Sequence, residues 1–428
     1  MKRPGVERGV WRGDLWGKRL SKYKALTETL LGGSGMVECA PASPQYYMLP
    51  PRSGEIEYAA LISVDDIFKF RTMGIITKRD ALTTDLEEDS LWKRVQAFAA
   101  APRASVRELF KLQADNDWSS LNAHDDLNAS GPHERHLTKV NYAPFDQRST
   151  YYTGRTRGFM ARPTLETMRH MAEDGFGLSL IRKMDVDDAW NHALAIGGLM
   201  THHAVSMKEG NYLYPAWLDS AAAPETPVAF NELKITDRTE NLTPAFRDYL
   251  DARYGEHYDP EQILGYIYAV LHAPTYRSRY AEFLRIDFPR IPFAETPEQF
   301  EALSVLGWDL IQTHLLKTVP RSKPRLGDYT GRGDHTVEAA IYSPDEATVW
   351  INPKRTQGFA NVPQAVWDFH IGGYQVVDKY LKSRKGRVLN LDEQTHVGNI
   401  AEALNFTIAQ MAKIDTAYLA AFPDQAGG

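Results

Sequence analysis

Arginine and tyrosine residues alternate closely in the stretch from Leu271 to Phe293. Arg277 and Arg279 stand two residues apart and are flanked by Tyr276 and Tyr280. A guanidinium group grips a phosphate through its planar fork of donors, and a neighbouring tyrosine packs against a sugar or base. The pattern suits contact with a nucleic-acid backbone, but this stretch taken alone favours the alternative. The alternative is a helix corner at which the arginine stems cover the edge of a core.

A second basic and aromatic stretch runs from Tyr142 to Phe159, with Gly154 and Gly158 allowing a tight turn. Interleaved residues of these types on a β-ribbon or loop can enter a groove or brace a backbone. The alternative is a hairpin that buries its aromatic face. The residues that this stretch contributes as DNA-binding candidates are Gln147, Arg148, Tyr151, Tyr152, Arg155 and Arg157.

Basic residues are also dense near the end of the chain, between Phe369 and Leu389. Like charges at this density repel one another unless solvent or a polyanion screens them. We therefore expect phosphate contacts from Lys382, Arg384, Lys385 and Arg387, together with Arg277 and Arg279. Arg355 and Gln357 follow a predicted hairpin and carry donors of the kind that pair with base edges.

Catalytic chemistry has one weak candidate, which is the Glu232-Leu233-Lys234 triplet. An E-x-K on a strand, with an upstream acid such as Asp219, is the skeleton of a metal-dependent nuclease site. So short a pattern arises often by chance, so the nuclease stays an alternative to nucleic-acid recognition. We assign no catalytic residue to the chain.

Histidines provide the other metal-binding possibility. His124, His133 and His136 lie in one polar segment, where solvated side chains are the alternative to ligands. His202 and His203 are adjacent, so on a strand they would point to opposite faces. We assign no metal ligands.

Composition limits the class of protein. The 428 residues are 43% hydrophobic and 24% charged, as in a globular protein with a substantial core. The net charge of -6 means that any affinity for nucleic acid must come from a local basic surface. The single cysteine excludes an internal disulfide, and no apolar run approaches membrane-spanning length. These features predict a cytoplasmic protein with no membrane partner.

Local signals predict a mixed α/β (α+β) fold, in which β-hairpins and small sheets are braced by helices. Asp259-Pro260 with Gln262, and Thr296-Pro297 with Gln299, have the spacing of helix-opening capping boxes. Ser105 to Glu108 has the same spacing. The remaining expectations are a short buried strand at Gly74 to Thr77, a loop at Leu316 to Arg325, a hairpin at Thr336 to Asn352 and a final helix from about Asp392.

Domain organisation is suggested by composition alone. The chain turns polar between Ala114 and His136, which predicts a domain boundary or an exposed loop. We accordingly expect one region at 1–125 and a second at 126–428. Within the first region, Gly32 to Gly35 is expected to be a linker, and Ala40 to Pro51 a proline-rich extended segment.

Three stretches together resemble the C-terminal target-recognition region of type ISP restriction–modification enzymes. They are YAPFDQRSTYYTG, LHAPTYRSRYAEFLRIDFPRIPF and FHIGGYQVVDKYLKSRKGRVL, which occur here in the order found in that family. RGDLWGKRLSKYKAL and MGIITKRDAL resemble the part that follows the methyltransferase core in the same enzymes. The resemblance covers nearly the whole chain, and implies that residues 1–125 are a methyltransferase tail and residues 126–428 a DNA target-recognition domain.

The sequence departs from that family in its catalytic motifs. The glycine-rich S-adenosylmethionine loop and the N-P-P-[YF] motif are missing, and Asn352-Pro353-Lys354-Arg355 lacks the second proline and the aromatic. There is no GxxxxGK[ST] motor motif. The resemblance therefore implies a specificity module that binds double-stranded DNA and is not catalytic alone. It would act with a methyltransferase or translocase part that carries S-adenosylmethionine, or be a remnant of a larger enzyme.

Overall fold

The computed structural model describes residues 9–29, 33, 35–41, 54–113, 115–185 and 189–425. The chain forms two compact units, Met1–Leu61 and Ile62–Gly428. The first unit contains β1 (Val10–Arg12), α1 (Arg19–Glu28), β2 (Val37–Cys39) and α2 (Glu55–Ala60), with β1 and β2 paired antiparallel. Most of the predicted glycine linker and proline-rich segment lies outside the described residues.

The second unit carries several small sheets. Its strands are β3 (Ile62–Ser63), β4 (Thr72–Met73), β5 (Thr84–Asp85), β6 (Leu137–Ala143), β7 (Asp146–Tyr151), β8 (Phe176–Ile181), β9 (Leu194–Gly197), β10 (Leu199–Met200), β11 (Asn211–Pro215), β12 (Trp217–Asp219), β13 (Arg238–Glu240), β14 (Arg290–Ile291), β15 (Asp328–Gly331), β16 (Ile341–Ser343), β17 (Thr348–Trp350), β18 (Gln357–Ala360), β19 (His370–Ile371) and β20 (Tyr374–Gln375).

Helices surround these sheets. They are α3 (Val64–Ile67), α4 (Asp80–Thr83), α5 (Glu88–Ala100), α6 (Val106–Leu109), α7 (Ser120–Ser130), α8 (Leu165–Met168), α9 (Pro244–Tyr254), α10 (Pro260–His272), α11 (Pro274–Arg279), α12 (Ala281–Leu284), α13 (Pro297–His314), α14 (Gln364–Trp367), α15 (Val376–Lys382) and α16 (Leu391–Ala421). The chain is thus a mixed α/β protein, as its local signals predict.

Three four-stranded sheets organise the second unit. Their strand orders are β10-β6-β7-β5, β4-β11-β8-β9 and β15-β18-β17-β16. All their pairings are antiparallel except that of β10 with β6. The second unit also contains three two-stranded sheets, β12-β13, β14-β3 and β19-β20.

Two hydrophobic cores lie on either side of the β6–β7 hairpin. One joins Leu91, Phe98 and Leu127 of α5 and α7 to Tyr151 at the end of β7. The other includes Tyr152 and extends through the C-terminal sheet into the buried face of α16. Burying apolar area on both sides of one hairpin removes its freedom to shift, because interiors are close-packed.

Helices α10 and α13 pack at backbone distance. A Cβ built on Gly307 would lie 1.9 Å from the Gly265 carbonyl oxygen, so both positions exclude larger residues. Ser304 Oγ also donates to the Gln262 carbonyl at 2.7 Å. Both helices pack against α16, and α13 also packs against β9.

Several local predictions are confirmed. Gln262 Oε1 accepts from the Asp259 backbone at 2.9 Å, and Gln299 accepts from Thr296 at 3.3 Å, at the starts of α10 and α13. Leu316 to Arg325 is a loop, β16 and β17 form the expected hairpin, and α16 is the final helix. Ser105 does precede a helix, α6, but that helix is one turn long and has no side-chain cap.

Other predictions are wrong. The polar segment from Ala114 to His136 is not an exposed loop, because α7 occupies its centre and buries His124, Asp126 and Leu127. Asp126 and Ser130 of this segment bond to groups on other elements inside the fold, which composition cannot reveal. The two compact units are divided at Leu61 and Ile62, and the expected regions 1–125 and 126–428 stay a prediction. No strand covers the predicted range Gly74 to Thr77, because the half-buried β4 ends at Met73 and Ile75 and Ile76 form only isolated bridges.

Candidate nucleic-acid interface

The β6–β7 hairpin, which belongs to the second basic stretch, is held in place by two hydrophobic cores and a buried ion pair. Tyr151 and Tyr152 are consecutive, so their side chains leave the strand on opposite sides and enter different cores. Tyr152 donates to the Pro163 carbonyl at 3.0 Å, and Tyr151 stacks against Trp92 at 6.4 Å. Both rings are fully buried. Their burial assigns the two tyrosines to the cores rather than to a DNA-contacting surface.

A buried ion cluster holds the hairpin turn. Arg384 Nη2 donates to Asp146 Oδ1 at 2.9 Å, and its Nε donates to Glu393 Oε1 at 3.2 Å. The guanidinium carbon lies 3.5 Å from the centroid of the Tyr380 ring. His396 Nε2 donates to the Phe145 carbonyl at 2.7 Å. Arg384 is therefore a structural residue between hairpin and helices, and its buried side chain cannot grip a phosphate here.

Gln147 and Arg148 are consecutive on β7, so their side chains leave the hairpin on opposite faces. Gln147 is exposed and donates to Asn141 Oδ1 at 3.2 Å. The Arg148 guanidinium stacks 3.6 Å from the centroid of Tyr142, while Asp146 accepts from it at 3.3 Å. Tyr142 in turn donates to Asp80 Oδ2 at 2.6 Å. The hairpin thus offers an exposed amide on one face and, on the other, an oriented guanidinium whose side chain is 18% exposed.

A buried carboxylate shapes the loop that follows β7. Asp126 Oδ2 accepts from Thr153 Oγ1 at 2.7 Å and from the Phe159 backbone at 2.8 Å. Burial raises the pKa of Asp126 despite these bonds. The loop wraps so closely that a Cβ at Gly158 would meet Asp126 Oδ2 at 2.3 Å. Arg155 and Arg157 are exposed on this loop.

An open cavity of about 450 Å³ lies beside the loop and is lined by basic side chains. We name its rim the cleft surface, made of Lys78, Asp117, Thr156, Arg157 and Arg162. Asp117 is 3.7 Å from Arg162 and 3.5 Å from Lys78, so one acid is shared by two cations. The surplus of positive charge suits an anionic ligand such as a phosphate.

A second cavity, of about 200 Å³, adjoins the hairpin at Tyr142. We name it the hairpin pocket; its lining is Ile75, Thr77, Asp80, Tyr142, Thr201, His202, His203, Met207, Tyr374 and Lys379. The backbone from Ile75 to Lys78 connects it to the cleft surface, since Ile76 pairs with Arg162. The two cavities and Arg148 therefore belong to neighbouring parts of one surface.

A third basic group forms at one end of the C-terminal sheet. We name it the turn cluster, made of the exposed residues Arg332, Lys354, Arg355 and Lys385. The Arg332 backbone donates to the Thr356 carbonyl at 2.8 Å, which places it beside the turn that carries Lys354 and Arg355. Gly386 and Arg387 pair with Val337, so Lys385 adjoins the same sheet. Gln357 is buried and bonds to Tyr329 and His335. Its burial gives it a structural role instead of a base contact.

Two further candidates are engaged in ion pairs. Lys382 is exposed and lies 2.8 Å from Asp378, one helical turn away. Arg387 pairs with Glu87 and with Glu393. The exposed Lys382 pair contributes little free energy, so a phosphate can replace its acid, whereas the Arg387–Glu393 pair is mostly buried. Both stay predictions as DNA contacts.

The Arg277 side chain points into the fold. Its Nε donates to the Leu271 carbonyl at 2.5 Å, and its guanidinium lies 5.7 Å from the Trp190 ring centroid. Burial lowers the pKa of Arg277 to about 10. Tyr276 and Tyr280 are fully buried. The stretch from Leu271 to Phe293 is therefore a helix corner, the alternative to a DNA-contacting surface. Arg279 is half-buried and lies 5.9 Å from the centroid of the Tyr280 ring, and it stays a predicted DNA contact.

We expect Arg277→Ala to weaken folding and to leave the salt dependence of DNA binding unchanged. The variant loses a charge-assisted bond to Leu271 and the contact with Trp190, which costs about 1–3 kcal/mol. Urea unfolding followed by tryptophan fluorescence measures that cost. A fall in the salt slope with unchanged stability would return Arg277 to the DNA-contacting surface.

The nuclease alternative does not have the local structure it requires. Glu232 ends a short 3₁₀ helix, Phe230–Glu232, and no strand covers the triplet. Its carboxylate lies 3.7 Å from Arg135, and Lys234 pairs with Glu173 at 3.1 Å. In the part of the chain that the structure describes, no three His, Cys, Asp or Glu residues are grouped to hold a metal ion.

Sequence reasoning missed several exposed cations, namely Lys78, Arg162, Arg332 and Lys354. None of them lies in the dense basic stretches, and backbone pairing with distant residues positions Arg162 and Arg332. Arg332 between Gly331 and Gly333 was the one visible signal, because glycines on both sides indicate an exposed turn.

No helix in the described ranges is long and apolar enough to cross a membrane.

Comparison with known families gives one match that covers most of the chain. The model of the type ISP C-terminal specificity domain matches residues 66–412. The matched range includes the hairpin, the cleft surface and the turn cluster. No curated protein gave a significant sequence match.

Comparison with solved structures shows a shared fold. The cryoEM structure of a DrdV–DNA complex has a TM-score of 0.65 and 16% identity, and the match covers 93% of this chain and 41% of that one. LlaBIII, a type ISP enzyme bound to DNA, gives 0.63 and 14%, over 89% and 25%. A nuclease-deletion mutant of LlaGI with a DNA substrate mimic gives 0.58 and 14%, over 89% and 30%. This chain spans less than half of each.

Proposed function

The chain belongs to the family of type ISP C-terminal specificity domains, and from that premise we propose that it recognises a specific sequence in double-stranded DNA. The observation that carries the proposal is the position of the cleft surface at the loop that directly follows the β6–β7 hairpin. Phosphate-holding and base-reading groups are thereby adjacent, and recognition of a duplex requires both.

The proposed division of labour follows residue type and exposure. Arg157, Arg162 and Lys78 hold phosphates, because each presents a cation at the cleft surface. Gln147, Arg148 and Arg155 read base edges, since amide and guanidinium groups form paired hydrogen bonds in the major groove. The turn cluster supplies further phosphate contacts.

We further propose that the chain acts with a methyltransferase or translocase part, in the cytoplasm, and that S-adenosylmethionine binds in that part. The described residues do not reproduce the family's adenine-holding motif. The nearest string, Asn352 to Arg355, lacks the second proline and the aromatic, and its Asn352 is buried and bonds to Thr356. We therefore derive no methyl-transfer step in this chain.

We expect Arg155→Ala to flatten discrimination between a cognate duplex and one with a single changed base pair. Loss of a bidentate base contact costs about 1–3 kcal/mol on the cognate duplex and nothing on the changed one. Fluorescence anisotropy with both labelled duplexes measures the ratio. Arg238→Ala, an exposed arginine on β13, is the matched control and keeps the ratio.

Equal loss on both duplexes would make Arg155 a phosphate contact. Absence of any duplex binding by the unaltered chain at low salt would overturn the proposed function itself.

A further inference from the structure

The hairpin pocket contains two imidazoles whose protonation is fixed by the backbone. His202 Nδ1 lies 3.1 Å from the Ile75 carbonyl, and His203 Nδ1 lies 3.0 Å from the Ser206 carbonyl. A carbonyl only accepts, so each Nδ1 carries the proton. The pKa of His202 is lowered to about 4, mainly by burial and secondly by the neighbouring His203. The His202 ring is therefore neutral at neutral pH. In the neutral form of either ring, Nε2 is then the hydrogen-bond acceptor.

The rest of the pocket lining includes two aromatic side chains and one lysine. Tyr142 and Tyr374 contribute rings, and their hydroxyls are fixed by bonds to Asp80 and to the His203 carbonyl. Thr77 donates to the other Asp80 oxygen, so this acid is occupied. Lys379 Nζ lies 5.5 Å from the Tyr374 ring centroid and supplies a donor to the pocket.

The pocket dimensions select a small planar ligand. A volume of about 200 Å³ is more than a few waters occupy and less than drug-sized ligands need. A flat ring would lie against aromatic side chains, offer an amine to the two Nε2 acceptors, and accept from the lysine. Adenine and cytosine have an exocyclic amine with two N–H donors and adjoining acceptor atoms.

We propose that the hairpin pocket binds one unstacked nucleobase carrying an exocyclic amine, adenine or cytosine. That the base belongs to the duplex held at the neighbouring cleft surface rests on the proposed function. Removing a base from a duplex costs free energy, and stacking on aromatic rings offsets part of that cost. The pocket is a binding site and no chemistry is assigned to it.

The first test uses free nucleosides with the full chain labelled with ¹⁵N in its histidines. Adenosine and cytidine are expected to shift the imidazole nitrogen resonances of His202 and His203 saturably, and thymidine to leave them unchanged. The same titration on Lys379→Ala is expected to show weaker binding. If adenosine leaves both imidazoles unchanged, the inference is overturned, whether or not the chain binds a duplex.

The second test compares a fully paired duplex with one that carries a single bulged adenine. The bulge removes the cost of unpairing, so the chain is expected to bind it roughly tenfold more tightly. His203→Ala and Lys379→Ala are expected to lose this gain and keep their affinity for the paired duplex. His257→Ala is the control, because His257 pairs with Asp251 away from the pocket lining.

An equal gain in the pocket variants and in the unaltered chain would overturn the pocket as the site. A response to adenosine without any duplex binding would instead contradict the proposed function and retain the pocket as a base-binding site.

Discussion

Arg384→Ala is expected to lower the free energy of unfolding by about 3–5 kcal/mol, the cost of leaving a buried charge without its partner. Asp146 and Arg384 have only 1% and 5% of their side-chain surface exposed, so water cannot replace the lost guanidinium. Glu393 loses a partner in the same change. Urea unfolding followed by tryptophan fluorescence measures the effect as a fall in the midpoint.

Lys382→Ala is the matched control for that experiment. It removes a cation from the same segment, but its pair with Asp378 is exposed, so we expect a loss of about 0–1 kcal/mol. The double variant Arg384→Met with Asp146→Leu replaces the pair by apolar groups and is expected to recover much of the stability. A single Arg384→Ala variant as stable as Lys382→Ala would show that the pair does not hold the hairpin.

Replacing Arg157, Arg162 and Arg355 together by alanine is expected to weaken binding to every duplex and lower the salt slope. Each phosphate contact contributes about 0.9 to the slope of log affinity against log salt, so three contribute about 2.7. All three side chains are exposed, and Arg157 and Arg162 line the cleft surface. Anisotropy at several salt concentrations gives the slope directly.

The control for this variant changes three exposed cations that belong to neither basic surface, namely Lys93, Arg238 and Lys413. Both variants have the same net charge, so bulk electrostatics cannot separate them. We expect the control to keep the slope of the unaltered chain. Equal slopes for the two triple variants would contradict the assignment of phosphate contacts to these surfaces.

Local signals in the sequence predicted the parts of the fold that depend on local chemistry. The capping boxes at Asp259 and Thr296 involve residues three apart, so the pattern and the hydrogen bonds share the same short range. The β16–β17 hairpin is likewise local. The resemblance to the type ISP family came from longer stretches, and the family match confirmed it.

Long-range contacts explain what sequence reasoning could not supply. Arg384 was grouped with exposed basic residues, but its partner Asp146 is 238 positions away. Tyr151 and Tyr152 suit a DNA surface by type, yet strand alternation delivers them to two cores. Helix α7 has a polar sequence because Asp126 and Ser130 bond to buried groups on other elements. Composition reports residue types and not these partners.

The candidate surface was predicted only in part for the same reason. Arg155, Arg157 and Arg355 are exposed as expected, whereas Lys78 and Arg162 join the cleft surface through a backbone bridge between Ile76 and Arg162. A basic surface assembled from separate segments does not appear as a basic stretch. Charge density along a chain therefore underestimates such surfaces.

The most direct test of sequence-specific recognition is selection of bound duplexes from a randomised pool by the full chain, followed by sequencing. We predict enrichment of one short sequence, and affinity for it about 10³-fold or more above that for a scrambled duplex, with a steep salt dependence. Recovery of a pool with no enriched sequence, bound equally to the scrambled duplex, would contradict the account.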